Sequence, residues 1–280
     1  MSAFKLDRQG AFDTINNGQV FLWDKYGDSW YGINGSNVIK IDSFGRIGSM
    51  NGGHASFFRT RDNMRKILSE ISKDKIVATA VKKSPNMRLL RQDPFQCMIT
   101  FVISSNSAIP NIRRSIKRLC IKYGSQVSYE GIKFSLFPDS KKLGSATIDG
   151  LHSCGLGYRA PYVKAASRAN SKLDFDLMRR CEYKTAKDVL LDIPGIGGKV
   201  ADCIMLFSLD KLDAVPLDRW VIRILEKYYP GKFNVGTSLT PNAYTKIRGK
   251  ILDHFGRYAG FSQQFLFKAE RDAAGKKWLE

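Results

Sequence analysis

The chain has 280 residues, with 45 Lys and Arg against 26 Asp and Glu, a formal charge of +19. At 43% hydrophobic and 25% charged it is composed like a folded protein, which excludes a disordered basic tail, and no apolar run nears the ~20 residues that span a bilayer. The start, Met1-Ser2-Ala3-Phe4-Lys5, lacks the apolar stretch of a secretory leader, so an intracellular chain with two or three cores is expected.

Residues 1–60 are turn-rich and aromatic. Segments 20–23, 29–33 and 38–41 are short β-favouring runs, separated by Tyr26-Gly27-Asp28 and Asn34-Gly35-Ser36-Asn37, which have hairpin-turn chemistry. A small antiparallel β domain over 1–60 is expected. Beyond residue 62 the signal turns helical. Asp93-Pro94 supplies an acidic cap and a proline at a helix start, and the run 95–103 is apolar all round, as suits the centre of a helical core. Helices are expected over 108–123, 147–154, 159–171, 185–193, 199–209, 217–229, 241–255 and 258–269, with 124–147 as a long connection. The predicted fold is therefore α+β: the β domain, then a mostly α-helical body over 61–280 with a helix-hairpin-helix near 185–209. That body divides into subdomains at 93–194 and at 61–92 plus 195–280.

The basic residues are dispersed, so the charge belongs to the fold and points to a polyanion, of which nucleic acid is the commonest. Cys97, Cys120, Cys154, Cys181 and Cys203 are scattered without a C-x-x-C pair. This speaks against a zinc site, a four-cysteine iron–sulfur cluster and a secreted disulfide framework, so no metal is expected and the cysteines read as small buried residues. His54, His152 and His254 read as surface or packing residues.

The most informative segment is Asp188-Val-Leu-Leu-Asp-Ile-Pro-Gly-Ile-Gly-Gly-Lys-Val-Ala-Asp202. A helix ends before Pro194, and Gly195, Gly197 and Gly198 make a tight hairpin into a second helix with Val200, Ile204 and Phe207 on one face. Such a turn bares backbone N–H groups and lets a phosphate approach where no Cβ intervenes, a sequence-independent grip on a nucleic-acid backbone. The spacing of a nucleotide-binding P-loop is not met. Lys199 opens the second helix, and Asp218 follows Pro216, which can begin the next helix and place the carboxylate in its first turn. An amine and a carboxylate in one cleft suit chemistry at a sugar C1′: the carboxylate stabilises an oxocarbenium-like transition state and the amine attacks to form a Schiff base. On the residues alone, Lys199 serves equally well as a plain backbone contact.

The segment 191–203 with Asp210-Lys-Leu-Asp-Ala-Val-Pro-Leu-Asp218 resembles the helix-hairpin-helix/Gly-Pro-Asp superfamily of DNA glycosylases, and more narrowly the 8-oxoguanine DNA glycosylase family. Gly18-Gln19-Val20-Phe21-Leu22-Trp23, Leu89-Leu-Arg-Gln-Asp-Pro-Phe-Gln-Cys97, Ser104-Ser-Asn106, Gly155-Leu-Gly-Tyr-Arg-Ala160 and Tyr258-Ala-Gly-Phe-Ser-Gln-Gln-Phe-Leu-Phe267 extend the resemblance over nearly the whole chain, in the family's order.

The resemblance implies an enzyme that excises 8-oxoguanine from duplex DNA by base flipping, with Lys199 as Schiff-base nucleophile and Asp218 as catalytic aspartate. Phe267 and Cys203 then sandwich the flipped base, Gln263 bonds its edge, and the Gly18 carbonyl accepts N7–H, which guanine lacks. Asn106 fills the vacated space, and Tyr158 and Arg159 are the wedge and a contact to the orphaned cytosine. Read without the family, Phe267 and Cys203 are core residues, Asn106 ends a helix, and Tyr158 and Arg159 cap a turn. The sequence departs from the animal pattern at Trp220, where those members carry histidine, and at Asn111, where they carry a second arginine, although Arg113 and Arg114 lie nearby. Hairpin carbonyls of this superfamily commonly hold a monovalent cation; no other cofactor is implied. A monomer acting on duplex DNA, in a nucleoid or a nucleus, is expected. The rival readings are a monofunctional alkylated-base glycosylase, against which Lys199 argues, and a non-catalytic damaged-DNA-binding module.

Overall fold

The structure is a computed structural model and describes residues 6–234, 239–275 and 279; the opening stretch Met1-Ser2-Ala3-Phe4-Lys5 lies outside them. Two-residue turns set the N-terminal sheet. Strands Trp23–Tyr26, Ser29–Asn34, Asn37–Ile41 and Ile47–Ser49 pair antiparallel in sequence order. Gly27 and Gly35 take φ of 56° and 60° in the first two turns, the left-handed geometry such hairpins need. Trp23 lies across from Gly32, where a Cβ would come within 2.1 Å of the indole.

The first strand starts at Trp23, later than its apolar run suggests. The Arg113 guanidinium takes the Phe21 and Trp23 carbonyls at 3.0 and 2.8 Å, and the Val20, Phe21 and Leu22 side chains are buried. A helix that the sequence reading did not anticipate, Arg8–Ile15, precedes the sheet, with Asp7 accepting from Gly10 N at 2.7 Å as its cap.

The helical body is built round Pro94–Ser104. Asp93 accepts from Gln96 N at 2.8 Å, Pro94 opens the helix, and every side chain from Gln96 to Ile103 is buried, as the run predicts. Its Phe101 stacks on Phe207 of helix Gly198–Ser208 at 5.4 Å and 16°. Helices Met64–Ile71, Lys75–Lys83, Ile109–Tyr123, Ala160–Ala169, Tyr183–Leu191, Arg219–Tyr228, Pro241–Phe255 and Ala259–Ala273 share one apolar core with this pair. None of the helices among the described residues is long and apolar enough to cross a membrane.

Residues 124–147 are not a plain connection. Strands Gln126–Tyr129 and Ile132–Ser135 form a hairpin turned by Glu130 and Gly131 at φ of 49° and 78°, and a short helix Ser140–Ser145 follows. The hairpin docks on the first sheet: Tyr31 donates to Glu130 at 2.8 Å, Lys40 pairs with Glu130 at 2.6 Å, and Phe134 lies 5.5 Å from the Tyr31 ring. The alternation of polar and apolar residues in Gln126-Val-Ser-Tyr129 carried that strand signal, masked by the surrounding Gly, Ser and Pro.

Candidate active site

The hairpin comes first. Gly195 sits at φ 90°, and a Cβ there would lie 2.5 Å from Cβ of Tyr162, so the turn needs glycine for both its conformation and its neighbour. Gly197 is extended at φ −94°, has nothing within 4 Å of its missing Cβ, and leads into helix Gly198–Ser208. The first turn of that helix thus follows a position without a side chain, where a Cβ would meet none of the described residues within 4 Å.

Lys199 lies in this first turn. Its Nζ is 3.5 Å from Ser104 Oγ and 5.3 Å from the Phe101 ring, and it forms no ion pair among the described residues. Asp218 lies outside the next helix rather than in its first turn. The helix is Arg219–Tyr228, and Asp218 is its cap, with Oδ1 accepting from Trp220 N and Val221 N at 2.9 Å each. Two N–H groups left bare at a helix start hold a carboxylate better from outside the helix than from within it, which moves the boundary two residues past the sequence expectation.

Lys199 and Asp218 both line a cleft of about 530 Å³, together with Gly18, Phe101, Trp220 and Phe267. A smaller pocket of about 50 Å³ shares Gly18, Lys199, Asp218 and Phe267 and adds Asn17, Cys203 and Gln263. Six of the residues singled out in the sequence, from four separate stretches of chain, thus meet at one place.

Each wall is fixed from behind. Gly18 adopts φ 82°, and its neighbours are tied down: Gln264 donates to the Asn17 carbonyl at 2.8 Å, while the Gln19 side chain bonds Thr14, Arg88 and Leu90 backbone at 2.8–2.9 Å. Cys203 is buried. Burial pushes its thiol up to about 12, with the Lys199 charge pulling it down and Asp218 pushing it up, so it is neutral and unreactive. Phe267 stands edge-on to Trp220 at 6.5 Å, and the Arg271 guanidinium lies 5.6 and 5.7 Å from the two rings. Gln263 is buried with its Oε1 unpartnered among the described residues, and Asn17 Nδ2 is likewise buried without a partner among them. Sequence reasoning gave no role to Asn17, Phe101 or Ser104, although Asn17 adjoins and Ser104 belongs to a stretch that carried the resemblance, and Phe101 lies in the apolar run 95–103.

Asn106, Tyr158 and Arg159 do not line the cleft; they form a cluster at its rim, past the end of helix Pro94–Ser104. Arg159 donates to the Ser105 and Asn106 carbonyls at 2.7 and 2.9 Å and stacks 4.4 Å from the Tyr158 ring, and Tyr158 donates to Ser105 at 3.3 Å. Asn106 holds φ 50°, which asparagine tolerates better than most residues. Arg113, one of two arginines near Asn111, is committed elsewhere: it bonds strand carbonyls and pairs with Asp24 at 3.1 Å. Arg114 reaches Asn111 at 3.4 Å. Cys97, Cys120 and Cys154 are buried and Cys181 partly so, and the described residues contain no group of three or more His, Cys, Asp or Glu placed to hold a metal.

No protein-family model matches the chain. Curated relatives do. An N-glycosylase/DNA lyase OGG1 of Arabidopsis thaliana is 29% identical over 93% of this chain and 77% of the relative. A probable N-glycosylase/DNA lyase of Methanothermobacter thermautotrophicus is 31% identical over 71% of this chain and 68% of the relative. Among solved structures, the 8-oxoguanine glycosylase/lyase of Clostridium acetobutylicum, in complex with double-stranded DNA containing cytosine opposite 8-oxoG, superposes with a TM-score of 0.84 at 29% identity, covering 94% of this chain and 92% of that one. A 3-methyladenine DNA-glycosylase of Archaeoglobus fulgidus has a TM-score of 0.76 at 16% identity, a likeness of fold alone. With its cleft, its hairpin and these relatives, the chain belongs to the N-glycosylase/DNA lyase family, within the 8-oxoguanine branch of the helix-hairpin-helix/Gly-Pro-Asp DNA glycosylases.

Proposed function

We propose that the cleft is where this 8-oxoguanine DNA glycosylase/lyase binds a flipped lesion and breaks its glycosidic bond, with Lys199 as nucleophile and Asp218 as the stabilising carboxylate. The observation that carries the reading is that the two share one cleft with Gly18, Cys203, Gln263 and Phe267. The target bond is inaccessible in the stack, so the nucleotide is extruded first. Phe267 and the neutral Cys203 thiol face the two sides of the base. The Gly18 carbonyl accepts N7–H, and Gln263 bonds the opposite edge. Guanine has no N7–H and would leave a buried carbonyl unmatched, a cost of about 1–3 kcal/mol.

As the C1′–N9 bond breaks, its electrons leave with the base, which takes up a proton. The Asp218 carboxylate stabilises the positive charge developing on the sugar. The Lys199 nitrogen bonds to C1′ through its lone pair, its N–H protons pass to solvent or to the departing base, and ring opening gives the imine. Removal of a C2′ proton then expels the 3′ phosphate by β-elimination.

The bare N–H groups from Gly197 onward grip the phosphate backbone, with Gly195 and Gly198 shaping the turn. Asn106, Tyr158 and Arg159 act as one unit, held together by their mutual bonds, that fills the gap left by the lesion and meets the orphaned base. Asn111 stands where a second arginine would be and Arg113 is committed elsewhere, which favours a weak preference for the opposite base. The carbonyl oxygens of the turn are hard donors of the kind a monovalent cation takes; such an ion would add charge opposite a phosphate, and no step above passes through it. The chain acts where duplex DNA lies, in a nucleoid or a nucleus.

Incubation with duplexes carrying 8-oxoguanine opposite each of the four bases tests the reading. Excision with strand nicking, differing little between partners, is expected. No excision opposite any base would refute it.

A further inference from the structure

We propose that Tyr244, which touches neither cleft nor pocket, is a positioning residue that sets the distance between Lys199 and Asp218. This inference rests on the reading of those two residues given above.

Lys199 and Asp218 sit on separate elements, and no hydrogen bond or ion pair among the described residues joins the two directly. Asp218 caps its own helix, and Lys199 is at 3.5 Å from a serine hydroxyl. The elements themselves are joined at Tyr244, on helix Pro241–Phe255. Its hydroxyl lies 2.5 Å from Asp202 Oδ2, accepts from Leu217 N at 3.1 Å, and stands 3.2 Å from the Val215 carbonyl. Asp202 is three residues beyond Lys199 on the same helix, and Leu217 immediately precedes Asp218. A phenol has one hydrogen and acceptor capacity beyond it. Here it donates towards Asp202 and accepts from Leu217, so a single oxygen links the helix of the amine to the backbone of the carboxylate. The ring reinforces this contact, lying 3.5 Å from the position a Cβ would take on Gly198.

The far side of the link is equally fixed. Asp202 is fully buried, accepts from Tyr183 Oη at 2.7 Å, and pairs with Lys187 at 3.2 Å, while the Lys187 amine lies 4.4 Å from the Tyr244 ring. Tyr244 is buried as well, so water is poorly placed to replace its hydroxyl. Misplacing reacting groups by about 1 Å costs on the order of a hundredfold in rate, so an atom that sets this spacing has a large effect without meeting substrate.

Tyr244→Phe keeps the ring and removes only the link. The test combines two measurements on the full chain. Borohydride trapping on a duplex with a preformed abasic site, taken to its endpoint, counts competent molecules. Single-turnover excision of 8-oxoguanine then gives a rate per competent molecule, which a merely destabilised sample does not lower.

For Tyr244→Phe that rate is expected to fall at least tenfold, with the half-saturating lesion-duplex concentration within about threefold of the parent. Asp202→Asn retains an acceptor for the hydroxyl and should keep most of the rate. Parent-like excision per competent molecule in Tyr244→Phe, or an Asp202→Asn loss as deep as that of Tyr244→Phe, would overturn the inference. Failure of the underlying reading shows separately, as Lys199→Gln trapping as well as the parent.

Discussion

Replacing Gly197 with alanine separates the grip on DNA from the stability of the fold. Its φ of −94° is open to any residue, and a Cβ there meets nothing within 4 Å. Alanine narrows the unfolded ensemble, worth ~0.4–1 kcal/mol, and caps a helix less well than glycine, which offsets that gain. The net change should stay within about 1 kcal/mol, a Tm shift of roughly 2–4 °C or less for a chain of this size. Binding behaves differently. If a phosphate rests on the N–H groups beside Gly197, the new methyl pushes it away and loosens one such bond, worth about 1.5–3 kcal/mol to a charged acceptor. That is a ten- to hundredfold weaker Kd at about 1.4 kcal/mol per decade.

Gly195→Ala is the contrasting control. Its φ of 90° costs an alanine ~1–2 kcal/mol, and its Cβ would lie 2.5 Å from Tyr162, so Tm should fall by several degrees. Fluorescence anisotropy with an undamaged duplex and thermal melts of both variants provide the assay. Undiminished affinity in Gly197→Ala with unchanged Tm would refute phosphate binding at the hairpin.

Other expectations follow from charge and packing. Affinity for undamaged duplex should fall steeply and linearly on a log–log plot against salt, because neutralised phosphates release counterions; a flat plot contradicts an electrostatic grip. Phe267→Ala should remove stacking worth roughly 1–3 kcal/mol and weaken lesion binding more than undamaged binding, whereas equal losses make Phe267 a packing residue. With its thiol near 12, Cys203 should resist alkylation at pH 8 in the native protein while the partly exposed Cys181 labels first, and mass spectrometry of the labelled peptides decides the order.

Burial pushes the Asp210 carboxyl up, but Arg91 at 2.8 Å and Arg59 outweigh it and hold the group below its ordinary value. Its contribution to stability is therefore complete above the unfolded value of about 3.9 and is lost as pH falls through the lower folded value. Asp210→Asn should lower Tm at pH 7, leaving Arg59 buried with only Asp62, and flatten the acid limb of the Tm–pH curve; an unchanged acid limb contradicts this.

Legibility in the sequence followed the reach of each signal. Turn glycines at 27 and 35, the Asp93-Pro94 start and the hairpin at 194–198 act within a few residues, and they are where the sequence places them. The helix Arg8–Ile15 is too short to show a period, and the strands after Gly124 are stabilised by Tyr31 and Lys40 from a distant sheet. Neither could be read locally. The cleft lay between these extremes. Lys199 and Asp218 are nineteen residues apart, but their proximity depends on contacts such as that of Tyr244 with Asp202 and Leu217, which no spacing encodes. Arg113 shows the converse: proximity in sequence to Asn111 suggested a base contact, and the fold uses it to hold the Phe21 and Trp23 carbonyls instead.

Borohydride trapping during reaction with an 8-oxoguanine duplex tests the central claim most directly, since an amine that attacks C1′ passes through a reducible imine. The unmodified chain should give a covalent protein–DNA product. Lys199→Gln should give none while still binding the lesion, and Asp218→Asn should give it more slowly, because the lost charge serves the transition state and the amide keeps part of the helix cap. A crosslink that persists in Lys199→Gln, or none in the unmodified chain despite full lesion binding, would contradict the account.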